Sequence, residues 1–517
     1  MALAKPQWTS RFAFLMAAIG SAVGLGNLWR FPFLTGQNGG SAFVAVYLLC
    51  VVFVAYPILM GELAIGRHKG LSAVGSTRQL ALDSGRSGRW SVVGWIGILA
   101  AFGILTTYSV IAGQVIAYSV MSFVGEFAGP IAENTSQTSL YAGVAYALFW
   151  HTLFMTATVA IVSRGLHGGI ERVVTFLMPM FFLMLAGLCV YALITGATGG
   201  AVAYLFSPDF SALTPSVVLA ALGQAFFSIG VGGALMMTYG SFLPTDQNIG
   251  SNAAIIAGSD TLVAIVAGLM IFPIVFAYSL DPAAGSQLIF DALPRVFADM
   301  PLGSVVGGLF FLLAFIAALT TSISILIALS TVGEDQFGLG RTISALIAGV
   351  LAWVIGAATV LLPGLGQWVD FASGSVLLPL GGLLVATFAG WVAPRTIMRE
   401  ELRNTDDRLF RGTLMCTARQ RRMIQIEVSP AANAPEGIRP RMTLVSWSQG
   451  VELSMVTLRD HALMENSGRR FQRCSSVNDW PSTIKLASRV NGRTNAAGQP
   501  WRRRSSSMGE NPESWKA

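Results

Sequence analysis

The chain has 517 residues, 53% of them hydrophobic and 11% charged, with mean hydropathy +0.62 and a formal net charge of +7. Runs of twenty or more apolar residues recur through its first three quarters, which excludes a soluble globular fold and indicates a polytopic helical membrane protein. Residues 1–394 carry a balance of −2 and residues 395–517 a balance of +9, so the positive charge belongs to the tail and makes no case for nucleic-acid binding. Cys50, Cys189, Cys416 and Cys474 show neither a zinc spacing nor a disulfide framework.

In chain order, residues 1–11 form a polar, basic N-terminal segment. The apolar run that follows carries Arg30 and lacks a small-residue cleavage site, so it reads as a retained first helix and not as a signal peptide. Apolar runs place ten spans, at about 12–36, 41–66, 90–124, 141–162, 168–195, 215–243, 250–279, 303–332, 342–362 and 367–393. The connection after the second span holds Arg67, Lys69, Arg78, Arg86 and Arg89. The connections 125–140 and 196–214 hold no Lys or Arg. This asymmetry places the N-terminus and the 67–89 loop on the cytoplasmic side of the membrane.

The first span contains Gly20-Ser21-Ala22-Val23-Gly24-Leu25-Gly26-Asn27-Leu28-Trp29-Arg30-Phe31-Pro32. Glycines two apart, then Asn27 and Arg30, suit an uninterrupted helix poorly. An unpaired backbone group in hydrocarbon costs several kcal/mol, so a break at that depth must be buried in protein or engaged by a ligand. Glycine is also common in unbroken membrane helices. Ten spans divide into five and five, and a second copy of an odd-numbered unit enters the membrane from the opposite side. The first span of the second unit holds Phe227-Ser228-Ile229-Gly230-Val231-Gly232-Gly233. Broken helices at corresponding positions of two halves point to a transport site between them. The expected fold is therefore all-α and polytopic. A 5+5 inverted repeat, about 12–195 and about 215–393, forms a transmembrane domain at 12–394, with the first and sixth helices broken.

The connection Asp281 to Leu302 carries Pro282, Pro294 and Pro301 and reads either as a lid over the outer mouth or as a plain surface loop. Beyond Arg411-Gly412 the basic, Ser/Asn/Pro-rich stretch of 395–517 holds no further span. Two readings stand: a coding frameshift near 412 that replaced one or two final helices, or a disordered basic tail beside anionic lipid.

The residues Ser21 to Pro32 resemble the signature of the neurotransmitter:sodium symporter family, whose bacterial members include the leucine transporter. Gly223-Gln224-Ala225-Phe226-Phe227-Ser228 and Ala317-Ala318-Leu319-Thr320-Thr321-Ser322 are similar to that family's sixth and eighth helices. The resemblance runs from about Gln7 to Arg395. It implies the fold of the leucine transporter, sodium-coupled uptake of amino acids or related amines by alternating access, and two bound Na+ ions.

By this resemblance, one sodium site uses the Ala22 carbonyl, Asn27, Ser228 and Asp260 with the substrate carboxylate. The other uses the Gly20, Val23 and Ala317 carbonyls with the Thr320 and Thr321 hydroxyls. Oxygen-only sets suit a hard cation, and half-helix amino ends suit a carboxylate. Asp260 stands where the leucine transporter has an amide, and adds a full negative charge; a protonated Asp bonded between helices is the other reading. The implied substrate residues are Ala22, Gly24, Gly26, Ile104, Tyr108, Phe227, Ser228, Gly230, Gly233, Thr321 and Ile325. Gly24 replaces the aspartate of monoamine transporters, which favours a solute bringing its own carboxylate. Gly230 and Gly233 leave room for a large side chain unless neighbouring helices close the gap.

The implied outer gate is Arg30 and Asp370 with Gln224, Tyr108 and Phe227; intramembrane charges generally pair. The inner gate is Lys5, Trp8 and Asp335, with Lys5 replacing the usual arginine and unable to make its bidentate fork. Gly169 and Pro179 resemble the fifth-helix motif tied to unwinding. Ala264 meets neither the serine of chloride-dependent relatives nor the glutamate of the leucine transporter, so no chloride pattern is met. The partners expected are a small amino-acid solute and the bilayer, with no nucleic acid, in a monomer or homodimer.

The function expected is sodium-driven import of a neutral, hydrophobic or aromatic amino acid. The alternatives are uptake of a betaine or other carboxylated amine, or a non-transporting membrane sensor of the same fold. No nucleophile–base set or metal-ligand cluster suggests an enzyme, and broken helices with gating charges suit occlusion better than a channel.

Overall fold

The computed structural model describes residues 7–125, 127, 143–207, 209–283, 290 and 292–402. Among the described residues every regular element is helical. Eight helices among the described residues are long and apolar enough to cross a bilayer: Ser41–Lys69, Gly88–Val124, Val144–Ser163, Leu166–Thr195, Ile249–Ala277, Gly303–Phe337, Arg341–Leu361 and Gly364–Val392. Two further crossings are broken. Arg11–Ala22 and Gly26–Gln37 are bent by 48°, and Pro215–Ile229 is divided from Leu235–Ser241 at residues 230–234. In chain order these broken pairs are the first and sixth spans, where the sequence places them.

Local chemistry explains both breaks. The Ser10 hydroxyl caps the first helix by accepting from the Ala13 amide. That helix stops at Ala22, because Val23 turns extended at φ −71° and ψ 104°. The chain resumes as a π-turn over Gly26–Arg30. In the sixth span Gly230 and Gly232 take φ of +72° and +89°, values that a side chain disfavours. Ala234 takes φ +60° without that licence, at a cost of about 1 kcal/mol.

The surroundings hold that strained turn. Fully buried Glu62, on the second span, accepts the Gly232 amide at 2.7 Å. One residue further on, the Leu63 carbonyl lies against Gly240, and about one turn further on, Gly66 lies against the Met237 carbonyl. The second span is thus seamed, backbone to backbone, to the latter half of the sixth. Gly97 of the third span closes the other side, where a Cβ would sit 2.9 Å from the Gly232 carbonyl.

The eighth span is the central post. It is 83% buried over its apolar window and packs on the first, third, fifth and ninth spans. The fourth, fifth and ninth spans are far less covered and turn Leu183, Ile194, Val350 and Leu351 outward, as lipid-facing helices do. In the 281–302 connection, Phe290 meets the Trp29 ring edge-on at 5.9 Å. The short helix Leu293–Asp299 buries Leu293 and Phe297. This segment therefore packs onto the Arg30 end of the first span.

The basic stretch does not leave the bundle at 395. Arg395–Glu401 is helical and buries Met398. Glu401 pairs with Arg67 Nε at 2.8 Å and with His68 Nδ1 at 3.3 Å. Arg67 also donates to the Glu401 and Gln247 carbonyls. Burial pushes the Glu401 carboxyl up, but hydrogen bonds from His68 and Arg67 and the Arg67 charge outweigh it and hold the group below its ordinary range. Residues 403–517, to which the frameshift and disordered-tail readings apply, lie outside the described residues.

Candidate functional site

The two breaks meet near the middle of the bundle, and the expected residues collect there in two oxygen-rich clusters beside one cavity. In the first cluster Asn27, at the start of the resumed first span, spends both ends of its amide. Its Oδ1 accepts the Gly24 amide at 3.1 Å, bridging the break. Its Nδ2 donates to the Asp260 carbonyl at 2.9 Å, the Asp260 carboxylate at 2.8 Å and Ser228 Oγ at 3.1 Å. Ser228, at the end of the sixth span's first half, donates to the other Asp260 oxygen at 2.7 Å. Asn27, Asp260 and Ser228 are all buried. The buried Tyr47 hydroxyl faces this cluster and is left without a hydrogen bond of normal geometry. The Asp260 carboxylate, its backbone carbonyl and the Ser228 hydroxyl thus converge on the Asn27 amide nitrogen, and a buried carboxylate among neutral oxygens suits a hard cation.

The second cluster lies where the first span's broken end meets the eighth span. Thr321 Oγ1 sits 3.4 Å from the Gly20 carbonyl and 3.5 Å from the Ser21 and Val23 carbonyls. One hydroxyl proton cannot serve three acceptors, so most of these dipoles aim at a point that a cation would satisfy. Thr320 Oγ1 lies 3.1 Å from the Ala317 carbonyl. Gly20 packs against Thr320 and against Met178 of the fifth span, beside Pro179.

Between the clusters a cavity is lined by Ala22, Gly24, Gly26, Ile104, Tyr108, Phe227, Gly230, Gly233, Thr321 and Ile325. Ser228 is the one expected substrate residue outside the lining, since its hydroxyl is committed to Asp260. Ser21, Ala101, Leu235 and Leu378 also line the cavity and were not expected from sequence. The polar end is Gly24, Tyr108 and Thr321: a Cβ at Gly24 would stand 2.9 Å from the Tyr108 hydroxyl and 2.8 Å from Thr321 Oγ1. Tyr108 accepts the Leu25 amide at 3.1 Å, which leaves its own proton to donate. Apart from Ser21, the remaining walls are apolar.

At one mouth the Arg30 guanidinium lies over the Phe227 ring, 4.3 Å from its centroid. Arg30 and Asp370 do not form the direct ion pair that the family resemblance implies; Asp370 is exposed at the start of a π-turn, and Arg30 Nη1 has no hydrogen-bond partner. The aromatic face takes the cation instead. Gln224 does not reach Arg30; it donates to the Gly26 carbonyl at 3.0 Å and braces the break.

At the other end Trp8 is buried, stacked on Tyr239 with centroids 5.4 Å apart, and its amide donates to the Phe242 carbonyl. Asp335 accepts from Ser72 at 2.6 Å and Gln336 at 2.9 Å. Lys5 lies outside the described residues. Gly169 sits in a π-turn, Leu166–Glu171, against the Ile161 carbonyl. Glu171 of that turn accepts the Thr9 amide at 2.7 Å, fastening the N-terminal strap to the fifth span. Sequence reasoning missed Glu171 and Glu62; a lone carboxylate in an apolar run was a usable signal for Glu62, whereas Glu171 sits beside Arg172 at the edge of its span.

The family model described as the sodium:neurotransmitter symporter family matches residues 5–142 and 142–372. The sodium-dependent transporter YhdH of Bacillus subtilis (strain 168) is 36% identical over 417 residues, covering 77% of this chain and 90% of that protein. The sodium- and chloride-dependent betaine transporter of Caenorhabditis elegans is 27% identical over 400 residues, covering 65% and 64%. The crystal structure of MhsT in complex with L-phenylalanine aligns with a TM-score of 0.74 and 39% identity, over 80% of this chain and 96% of that one.

Proposed function

This chain belongs to the sodium:neurotransmitter symporter family and is a sodium-dependent membrane transporter; we propose that it imports a neutral, hydrophobic or aromatic amino acid by alternating access. The observation that carries this reading is the division of the cavity. One end offers the Tyr108 hydroxyl and the broken backbone of the first span, and the rest is apolar. A solute with a charged head and an apolar side chain matches that division. The bound phenylalanine of MhsT is of the same class.

In this reading the first cluster takes one Na+ among the Ala22 carbonyl, Asn27, Ser228 and Asp260, completed by the substrate carboxylate. Tyr108 donates to that carboxylate with the proton its Leu25 bond leaves free. The second cluster takes another Na+ among Gly20, Val23, Ala317, Thr320 and Thr321. Cation and solute share one site and neutralise each other, so each raises the other's affinity, and a sodium gradient then drives accumulation. Phe227 closes over the solute on the Arg30 side. The Trp8–Tyr239 stack and the Thr9–Glu171 bond close the opposite side, and release there requires the fifth-span turn at Gly169 and Pro179 to loosen. The membrane domain at 12–394 and its cytoplasmic N-terminus belong to the same proposal; Asp260 supplies a negative charge beside the first ion.

The test is uptake by the full chain in proteoliposomes. Tritiated phenylalanine and leucine should accumulate with an inward sodium gradient and fail to accumulate without one. Binding without accumulation would instead indicate a sensor. The C. elegans betaine transporter makes glycine betaine the control solute. Its uptake in place of amino acids would overturn the amino-acid reading.

A further inference from the structure

Gly230 and Gly233 withdraw side chains from the cavity wall, yet that wall is not left open. A methyl at Gly233 would stand 3.3 Å from Leu378 Cδ1, and one at Gly230 would stand 3.6 Å from Leu235 Cδ1. Leu235 comes from the sixth span itself. Leu378 comes from the tenth, at the point where the π-turn Phe371–Leu377 gives way to the helix Leu378–Thr387. Its backbone is registered to the break, because its carbonyl lies against Gly232. Its side chain is 2% exposed and lines the cavity. The tenth span therefore fills part of the volume that the sixth span's glycines vacate.

We infer that Leu378 sets the upper size limit of the transported side chain, making the tenth span a specificity-determining wall; this rests on the amino-acid reading of the cavity. The physical warrant is graded. The sixth-span turn is pinned by Glu62, Gly97 and the Leu378 carbonyl and cannot retreat from a larger solute. Leu378 contributes a side chain whose removal opens space next to Gly233, while Leu235 stays beside Gly230. Each methylene gained or lost in such a pocket is worth about 10–200-fold in discrimination.

The experiment is a scintillation-proximity assay on purified full-length chain at saturating sodium. Tritiated leucine is displaced by unlabelled leucine, phenylalanine and tryptophan, in the wild type, Leu378→Ala, Leu378→Phe and Leu378→Met. The readout is the ratio of tryptophan to leucine affinity, which a loss of folding stability alone does not move. Leu378→Ala should shift that ratio toward tryptophan by about tenfold or more. Leu378→Phe should shift it the other way, and volume-conserving Leu378→Met should leave it near the wild type. If Leu378→Ala no longer holds leucine, Leu378→Val is read in its place and should show a smaller shift in the same direction. An unchanged ratio in the alanine (or valine) and phenylalanine variants, with leucine binding kept, overturns the inference and leaves the amino-acid reading standing. A methionine variant that shifts as far as alanine also overturns it. A wild type that binds none of the three amino acids overturns the amino-acid reading, and this inference falls with it.

Discussion

Asn27 Nδ2 holds Asp260 at two points, its carbonyl at 2.9 Å and its carboxylate at 2.8 Å, tying the resumed first span to the seventh. Replacing Asp260 by Asn keeps the shape and removes the charge. The sodium concentration for half-maximal substrate binding should then rise about tenfold, ~1.4 kcal/mol. A sodium titration of tritiated phenylalanine binding measures it, and an unchanged midpoint removes Asp260 from the cation site.

Tyr108 accepts the Leu25 amide and has one proton left to give. Tyr108→Phe should weaken amino-acid binding by about 1.5–3 kcal/mol, the worth of a hydrogen bond to a charged group. Thermal stability of the protein in detergent should change little. Equal affinity in competition binding would detach the hydroxyl from the substrate.

Arg30 over Phe227 makes a lid whose two parts act together. Phe227→Leu keeps an apolar cap but loses the ring face, worth about 0.5–2 kcal/mol. Substrate should dissociate faster, and adding Arg30→Ala should cost less than the two single losses combined. Dissociation rates of tritiated substrate at saturating sodium check this; full additivity would show that the stacking carries no energy.

Glu401 fastens the segment after the tenth span to Arg67 and His68. Its folded value lies below the ordinary 4.5, so the unfolded chain binds the proton more tightly than the folded one. The contribution to stability is therefore complete above the unfolded value and is lost as pH falls through the folded one. Glu401→Gln should lower the melting temperature at neutral pH, by roughly 1–3 kcal/mol of stability for a charge-assisted network partly open to solvent. It should also reduce the drop that the wild type shows on acidification. Melting curves of both proteins across that range decide it.

How much of this was legible depended on contrast with the surroundings. Gly24, Gly26, Asn27 and Arg30 stand out in an apolar run, and the first break fell among them. Asp260 stood out for the same reason, and the cluster around it is where the sequence points. Leu235, Leu378 and Ala101 carried no such signal, because an apolar side chain in an apolar helix looks the same whether it meets lipid, a neighbour or a cavity. Ala234 gave no warning of its positive φ, since that conformation is imposed by Glu62 and Gly97 from other helices. Arg30 and Asp370 are a different case: opposite charges near the same end of the bundle invite pairing, and the two interact here without direct contact, but nothing in the sequence says that an aromatic face lies nearer to Arg30. Arg395–Glu401 was hidden inside a charged stretch that resembled the start of a tail.

The Leu63, Gly66, Met237 and Gly240 contacts join two rods with no side chain between them. A joint of that kind leaves no slack to shear, so neither rod can swing without carrying the other. Glu62 fastens the strained turn at 230–234 to the same pair, so hinge and rods form one stiff piece.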